Sequence, residues 1–224
     1  MKRPYDERLS ELMVQTTIHL VEETGACIGY TQSDEISLVL ENREGELYLR
    51  GRVQKLTSIL ASMATAFFNL KVQASIPERA ERPALFDCRA FVVPSREEAA
   101  NVLLWRELDA TKNSVSMASR HHYGHGELMN KSQSEMQDLL HEVGVNWNDY
   151  PSFFKRGTFV QRRKVLRPFS DEERDHLPEK HAARTQPDLV VERTTIAPVE
   201  MPPFRRVTNR TAVVFEGSQP VVGP

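Results

Sequence analysis

The segment ACIGYTQSDEISLVL, residues 26–40, constrains the fold most. Two short apolar runs, ACIGY and ISLVL, flank the polar and acidic TQSDE. In the second run Ile36, Leu38 and Leu40 alternate with Ser37 and Val39, which is the period of a strand. Two strands joined by an acidic turn make a hairpin, so antiparallel pairing enters the sheet early in the chain.

Helical patterns surround this hairpin. A first helix is expected from near Asp6, after Pro4, with Leu9, Met13, Val14, Leu20 and Val21 as its apolar stripe and Gly25 as its stop. A second is expected from about Arg52 to Asn69, its stripe being Val53, Leu56, Ile59, Leu60, Met63 and Phe67. FDCRAFVV, closed by Pro94, reads as another strand. Ser95 with Glu98 and Ser132 with Glu135 are capping-box patterns that open a third helix, through Trp105 and Leu108, and a fourth, ended by Gly144. In the proline- and charge-rich tail after Pro168, DLVVERTTI and TAVVF suggest a late hairpin. This interleaving fits an antiparallel or mixed sandwich better than a doubly wound parallel sheet.

Composition sets outer limits. With 224 residues and 40% hydrophobic side chains the chain can bury a sizeable core. Cys27 and Cys88 are too few for a disulfide scaffold or a cysteine-built zinc site, and are expected to pack as small hydrophobes. No apolar run spans a bilayer and no signal-peptide pattern opens the sequence, so a cytoplasmic protein with no membrane partner is expected. The net charge of −2 argues against a uniformly basic nucleic-acid binder. Locally, however, the window Tyr150–Pro168 holds Lys155, Arg156, Arg162, Arg163, Lys164 and Arg167 with no acidic residue.

Asp34 and Glu35, adjacent at the hairpin turn, suit a magnesium ion, which takes oxygen ligands and keeps positions for water and substrate phosphates. A solvated acidic turn is the alternative reading. Arg50, Arg52 and Lys55 surround the start of the second helix near Gly51, where backbone N–H groups favour anions. Arg89 adds a guanidinium able to hold phosphate through two hydrogen bonds. His121, His122 and His125 lack a carboxylate at ligand spacing and are not read as a metal site. In WNDYPSFFKRGTFVQRR the aromatics are expected in the core and at least some of the cations on RNA.

Several blocks in order resemble the tRNA-His guanylyltransferase family, including its members that repair tRNA 5′ ends. They are KRPYDERL, GYTQSDEISLVL, RVQKLTSILAS, FDCRAFVVPSREEAANVLLWRELDA and VNWNDYPSFFKRGT, together covering about residues 2–165. ATKNSVSMASRHHYGHGEL in the middle gives the chain a bacterial or phage-type flavour. The resemblance implies an α+β fold like a polymerase palm, an antiparallel sheet with helices packed on it. Residues 1–168 would form that domain and 169–224 a small C-terminal extension with an accessory hairpin. It also implies nucleotide addition in the 3′-to-5′ direction. A tRNA 5′-phosphate is activated from ATP, the 3′-hydroxyl of GTP attacks it, and pyrophosphate is removed, with two Mg2+ ions serving the transfer.

Carried over by position, the resemblance makes Asp34 and Glu35 the catalytic and metal-binding carboxylates. Ser33, Arg52, Lys55 and Arg89 become nucleotide-binding residues, and Arg3, Arg106, Asn113, Lys155 and Arg156 tRNA-binding residues. Asp6 matches the aspartate of the opening block. The family's first metal-ligand aspartate lies on a strand before that block, and here Met1 directly precedes the block, so a palm without that strand is expected. The corresponding alternative function is a truncated or degenerate, catalytically inactive member acting as an RNA-binding or assembly protein. A family histidine that contacts tRNA aligns with Thr111, which favours 5′-end repair over strict selection of one tRNA. Homodimers or homotetramers are implied, with tRNA and nucleoside triphosphates as partners.

Overall fold

The computed structural model describes residues 2–42 and 47–223. Helix α1 (Glu7–Thr24) starts at Asp6, whose carboxylate accepts the Arg8 backbone N–H, and ends where Gly25 turns left-handed at φ 66°. Its buried face includes Leu12, Met13, Leu20 and Val21, together with Thr16, Thr17 and Thr24. Those three hydroxyls are satisfied by donating to the carbonyls of Leu12, Met13 and Leu20 one turn earlier.

Strands β1 (Ile28–Gln32) and β2 (Glu35–Val39) form the expected hairpin, with Gln32 opposite Glu35 and Ser33–Asp34 as its two-residue turn. Strand β3 (Thr158–Pro168) pairs with the other side of β1, and β4 (Val190–Val199) pairs along the whole of β3. The sheet order is β2-β1-β3-β4, antiparallel throughout. Side chains alternate across it. Ile28, Tyr30 and Phe159 join a core with Ala99, Leu103, Phe204 and Val213, whereas Val160 packs on the opposite side with Val21 and Ala26. At Gly29 the sheet and α1 approach so closely that a Cβ would lie 2.6 Å from the Thr17 methyl.

Helix α2 (Val53–Ser75) runs six residues beyond the expected stop at Asn69. Its buried stripe is Leu56, Leu60, Ala64, Phe68 and Val72, a strict four-residue step, while Val53 is 55% exposed. Helix α3 (Arg96–His122) begins at Ser95, whose hydroxyl accepts the Glu98 N–H as expected, and continues through the ATKNSVSMASRHH stretch. The short α4 (His125–Leu128) follows. Helix α5 (Gln133–Glu142) carries the anticipated Ser132/Glu135 capping box. Helix α6 (Ser152–Arg156) leads into β3, and α7 (Asp171–Asp175) and α8 (Ala182–Thr185) link β3 to β4.

Two sequence expectations are corrected. TAVVF is not a strand but lies in helix α9 (Arg210–Glu216), and DLVVERTTI pairs with β3 instead. Val213, Val214 and Phe215 are buried in succession, which a half-buried strand cannot achieve because neighbouring side chains point to opposite faces. The tail thus adds a strand to the sheet and a helix to the core shared with α3. FDCRAFVV is not a strand: it has no regular secondary structure and belongs to no ladder among the described residues. Near its start, the backbone of Ala84 bonds to the Asn69 amide and the Phe86 N–H to the Thr65 hydroxyl, so helix side chains take groups that a strand neighbour would use.

Candidate active site

The hairpin turn is fixed before any side chain is considered. Ser33 sits at φ 54°, and the Thr31 hydroxyl donates to the Glu35 carbonyl at 3.0 Å. Ser33, Asp34 and Glu35 are all exposed. Glu35 forms an ion pair with Arg106 of α3; their side chains are 59% and 31% exposed. Leu103, Glu107 and Ala110 are buried and set the rotation of α3, which leaves Arg106 at the edge of the packed face. Asn113, two turns further on, donates its amide to Asp109 at 3.2 Å.

A second group of expected RNA-facing residues converges on the same end of the sheet. Thr31 at the end of β1 pairs with Thr158 at the start of β3, directly after Lys155, Arg156 and Gly157. Tyr5, in the opening block with Arg3, packs on Tyr150, Phe153 and Phe154, with ring centroids 4.9 Å apart in the Phe154 pair. Trp147 donates its indole N–H to the Ser114 hydroxyl of α3 at 3.1 Å. Phe154 is buried, and Tyr5, Trp147, Tyr150 and Phe153 pack half-buried against its cluster, so the aromatic turn lies on the core's edge and joins the opening block to the segment that carries Lys155 and Arg156.

These cations are not equally available. Lys155 donates its ammonium to the Asn148 carbonyl and stands 5.5 Å from the Trp147 ring centroid; burial moves its pKa down. Arg156 donates to the Ser152 hydroxyl and has its Nε 4.0 Å from Glu107 Oε1. Further along the basic window, Lys164 pairs with Glu192, and Arg167 and Arg193 share Glu173. Arg163 is used on Gln161, Gln219 and the Ser218 carbonyl. Acids from α7 and β4 thus neutralise part of a run that looks uniformly basic in sequence.

The expected nucleotide-binding cations sit elsewhere. Arg52 is the N-cap residue of α2 without a side-chain cap bond, and Lys55 lies in that helix's first turn. Arg89 pairs with Asp87 at 3.3 Å, with both side chains more than four-fifths exposed. Leu56 and Cys88, neighbours of Lys55 and Arg89, belong to one apolar cluster that also contains Ile36 of β2. This packing relates the three cations to the hairpin through α2, without direct contact to Ser33, Asp34 or Glu35 among the described residues. Asp6 has a structural part as the N-cap of α1. Its carboxyl, accepting from Arg8 and the Lys2 N–H, is held well below the usual range.

Sequence reasoning did not single out Glu107 or Tyr30. Glu107 is 3% exposed, accepts the Phe204 N–H at 2.8 Å, and is raised by burial to a pKa of about 7. It lines a cleft of about 280 Å³ with Ser152, Arg156, Thr158 and Glu200. Its place in the apolar step Ala99–Leu103–Glu107–Ala110 was the available signal. Tyr30 is buried and donates its hydroxyl to the Arg156 carbonyl at 2.8 Å.

Among the described residues no three His, Cys, Asp or Glu side chains gather as a metal cage. The turn supplies two adjacent carboxylates. A magnesium ion held by one or two carboxylates completes its shell with waters and substrate phosphates. This donor set therefore fits a site completed by substrate.

Fold and site together define an α+β protein with carboxylates and guanidinium groups meeting at one end of an antiparallel sheet. A family model described as Thg1, tRNAHis guanylyltransferase, matches residues 1–94. A bacterial tRNA(His) guanylyltransferase (Thg1)-like protein in complex with ATP is 38% identical over 72% of this chain and 70% of its own, with a TM-score of 0.67. Such a protein in complex with GTP is 30% identical over 91% and 76% of the two chains, with a TM-score of 0.66. The chain belongs to the tRNAHis guanylyltransferase family. It spans 65% of the uncharacterized protein R259 of Acanthamoeba polyphaga mimivirus, at 28% identity over 73% of this chain. It spans 34% of tRNA(His) guanylyltransferase 2 of Arabidopsis thaliana, at 27% identity over 76% of this chain. Among the described residues no helix is long and apolar enough to cross a membrane.

Proposed function

We propose that this chain is a magnesium-dependent nucleotidyltransferase that adds GTP-derived nucleotides to the 5′ end of tRNA in the 3′-to-5′ direction, in tRNA-His guanylylation or general 5′-end repair. The observation that carries the reading is the acidic turn Ser33–Glu35 facing Arg106 of α3, at the sheet end where Arg156 also sits. The family relatives solved with ATP and with GTP support nucleoside triphosphates as substrates.

In this reading a 5′-phosphate oxygen of tRNA attacks the α-phosphorus of ATP, and pyrophosphate leaves. The 3′-hydroxyl of GTP then attacks the activated 5′-phosphorus, forming a P–O bond as AMP departs and the hydroxyl proton is lost. Arg106, with Arg3, Asn113, Lys155 and Arg156, orients the RNA end; Ser33, Arg52, Lys55 and Arg89 hold triphosphate oxygens. Asp34 and Glu35 would hold the two Mg2+ ions, which supply charge neutralisation on the attacking and leaving oxygens. Residues 1–168 carry this chemistry and 169–224 complete the sheet and core. A cytoplasmic homodimer or homotetramer is the setting.

The test is to incubate the protein with 5′-phosphorylated tRNA, ATP and labelled GTP, beside Asp34→Ala and an EDTA control. Transfer that persists undiminished in the variant would overturn the site assignment. A second reading, an RNA-binding or assembly protein without transfer, draws support from the absence of a third carboxylate beside the turn among the described residues. Tight tRNA binding with no labelled product would favour it.

A further inference from the structure

Glu35 and Arg106 neutralise each other, yet each is the type of group that a different ligand seeks. A carboxylate at the head of a strand beside a second carboxylate attracts a divalent cation. A guanidinium attracts a terminal phosphate, which it grips through two parallel hydrogen bonds. Both backbones are held. Glu35 is pinned by the β1–β2 register and the Thr31 bond, and Arg106 by the buried neighbours Leu103, Glu107 and Ala110. The side chains are partly exposed, so the pair can open without unpacking the core.

We propose that Glu35–Arg106 is an exchange pair in which a divalent cation takes the carboxylate and a terminal phosphate takes the guanidinium, so that cation and phosphate ligand bind with positive coupling. The inference rests on the nucleotidyltransferase reading and adds a gate to it. With neither ligand present, Arg106 repels a cation at Asp34 and Glu35, and Glu35 repels a phosphate at Arg106. Each ligand removes the obstacle to the other, and by linkage the enhancement is the same in both directions. An exposed pair opposes such exchange only weakly, so the expected effect of releasing one partner is about two- to fivefold in affinity.

The experiment measures dissociation constants for a 5′-phosphorylated tRNA transcript, for the same transcript with a 5′-hydroxyl, and for GTP. Each is measured in EDTA and in Mg2+ at constant ionic strength. The 5′-hydroxyl transcript cancels effects of Mg2+ on RNA folding. In wild type, preference for the 5′-phosphate, or affinity for GTP, rises severalfold on adding Mg2+. Glu35→Gln releases Arg106, so it shows the raised value already in EDTA, and Arg106→Ala abolishes it in both conditions. A gain confined to the RNA assigns the phosphate to the RNA end, and a gain confined to GTP assigns it to the triphosphate. If Glu35→Gln in EDTA equals wild type in EDTA for both ligands, while thermal melting shows both proteins folded, the exchange pair is overturned. A metal that only bridges phosphate to carboxylate gives that result. Labelled-GTP transfer, measured in parallel with Asp34→Ala, separates the two claims: transfer can fail while the coupling stands, and the reverse.

Discussion

The Tyr30 hydroxyl donates to the Arg156 carbonyl at 2.8 Å, tying the middle of β1 to the end of α6 across 126 positions of sequence. Beside this bond Gly157, at φ 74°, passes so near β1 that an added Cβ would lie 2.6 Å from the Thr31 carbonyl oxygen and 2.7 Å from the Tyr30 hydroxyl. The acidic turn and the aromatic, cationic turn are thus joined by backbone approach.

Gly157→Ala is therefore expected to be strongly destabilising. The substitution places a methyl against backbone and forces an unfavourable φ, for a loss of about 2–4 kcal/mol. Tyr30→Phe removes only the hydroxyl and leaves the Arg156 carbonyl short of a partner, a loss of about 1–2 kcal/mol. Urea denaturation of both variants checks the order. Equal losses would show that Gly157 has room to adjust.

Glu107 gives the molecule a pH dependence of definite sign. Its folded pKa of about 7 exceeds the ordinary value of 4.5 because burial penalises the charge. The folded state therefore holds a proton that the unfolded chain gives up between those values. The stabilisation is fully present below about pH 4.5, falls as pH rises to about 7, and changes little above that. Between pH 5 and pH 8 this group accounts for a loss of roughly 2–3 kcal/mol. Glu107→Gln keeps an acceptor for the Phe204 N–H and should flatten that slope, making the variant the more stable protein at pH 8. Thermal melts at the two pH values decide it.

The basic window predicts unequal contributions to RNA binding. Lys164 and Arg167 are engaged by Glu192 and Glu173, whereas Arg162 is exposed on the same strand. Arg162→Ala should reduce the slope of log affinity against log salt by about one phosphate contact. Lys164→Ala should reduce the slope less, because a phosphate must first displace Glu192 from that ammonium. Filter binding of a tRNA transcript across a salt series makes the comparison.

Local chemistry was legible in the sequence: the Asp6 start and Gly25 stop of α1, the hairpin, the Ser95 N-cap of α3 and the Ser132/Glu135 capping box lie where their residues indicate. What long-range contacts decide was not. TAVVF has strand propensity, but burial against α3 and the sheet makes it helical. Lys164 and Arg167 look unpaired because their acids lie 28 and 6 residues away on elements whose docking no local pattern encodes. Glu35 was readable as an acid at a turn. That an arginine 71 positions later would meet it follows only from the packing of α3.

Asp34 and Glu35 are neighbours with different surroundings, which predicts different consequences of neutralising each. Asp34 is exposed at the tip of the turn, whereas Glu35 begins β2 and is held by Arg106. Under the proposed chemistry Asp34→Asn removes charge where the metal is needed, and labelled-GTP transfer should fall by about 10²–10³, the scale for losing one group that stabilises the transition state. Glu35→Gln removes a supporting charge but frees a phosphate-binding guanidinium, so its loss in transfer should be smaller and its apparent KM for the phosphate-bearing substrate lower. Raising Mg2+ should recover part of the Glu35→Gln rate and none of the Asp34→Asn rate. A larger defect in Glu35→Gln than in Asp34→Asn would make Glu35 the principal ligand, with Arg106 its positioning partner.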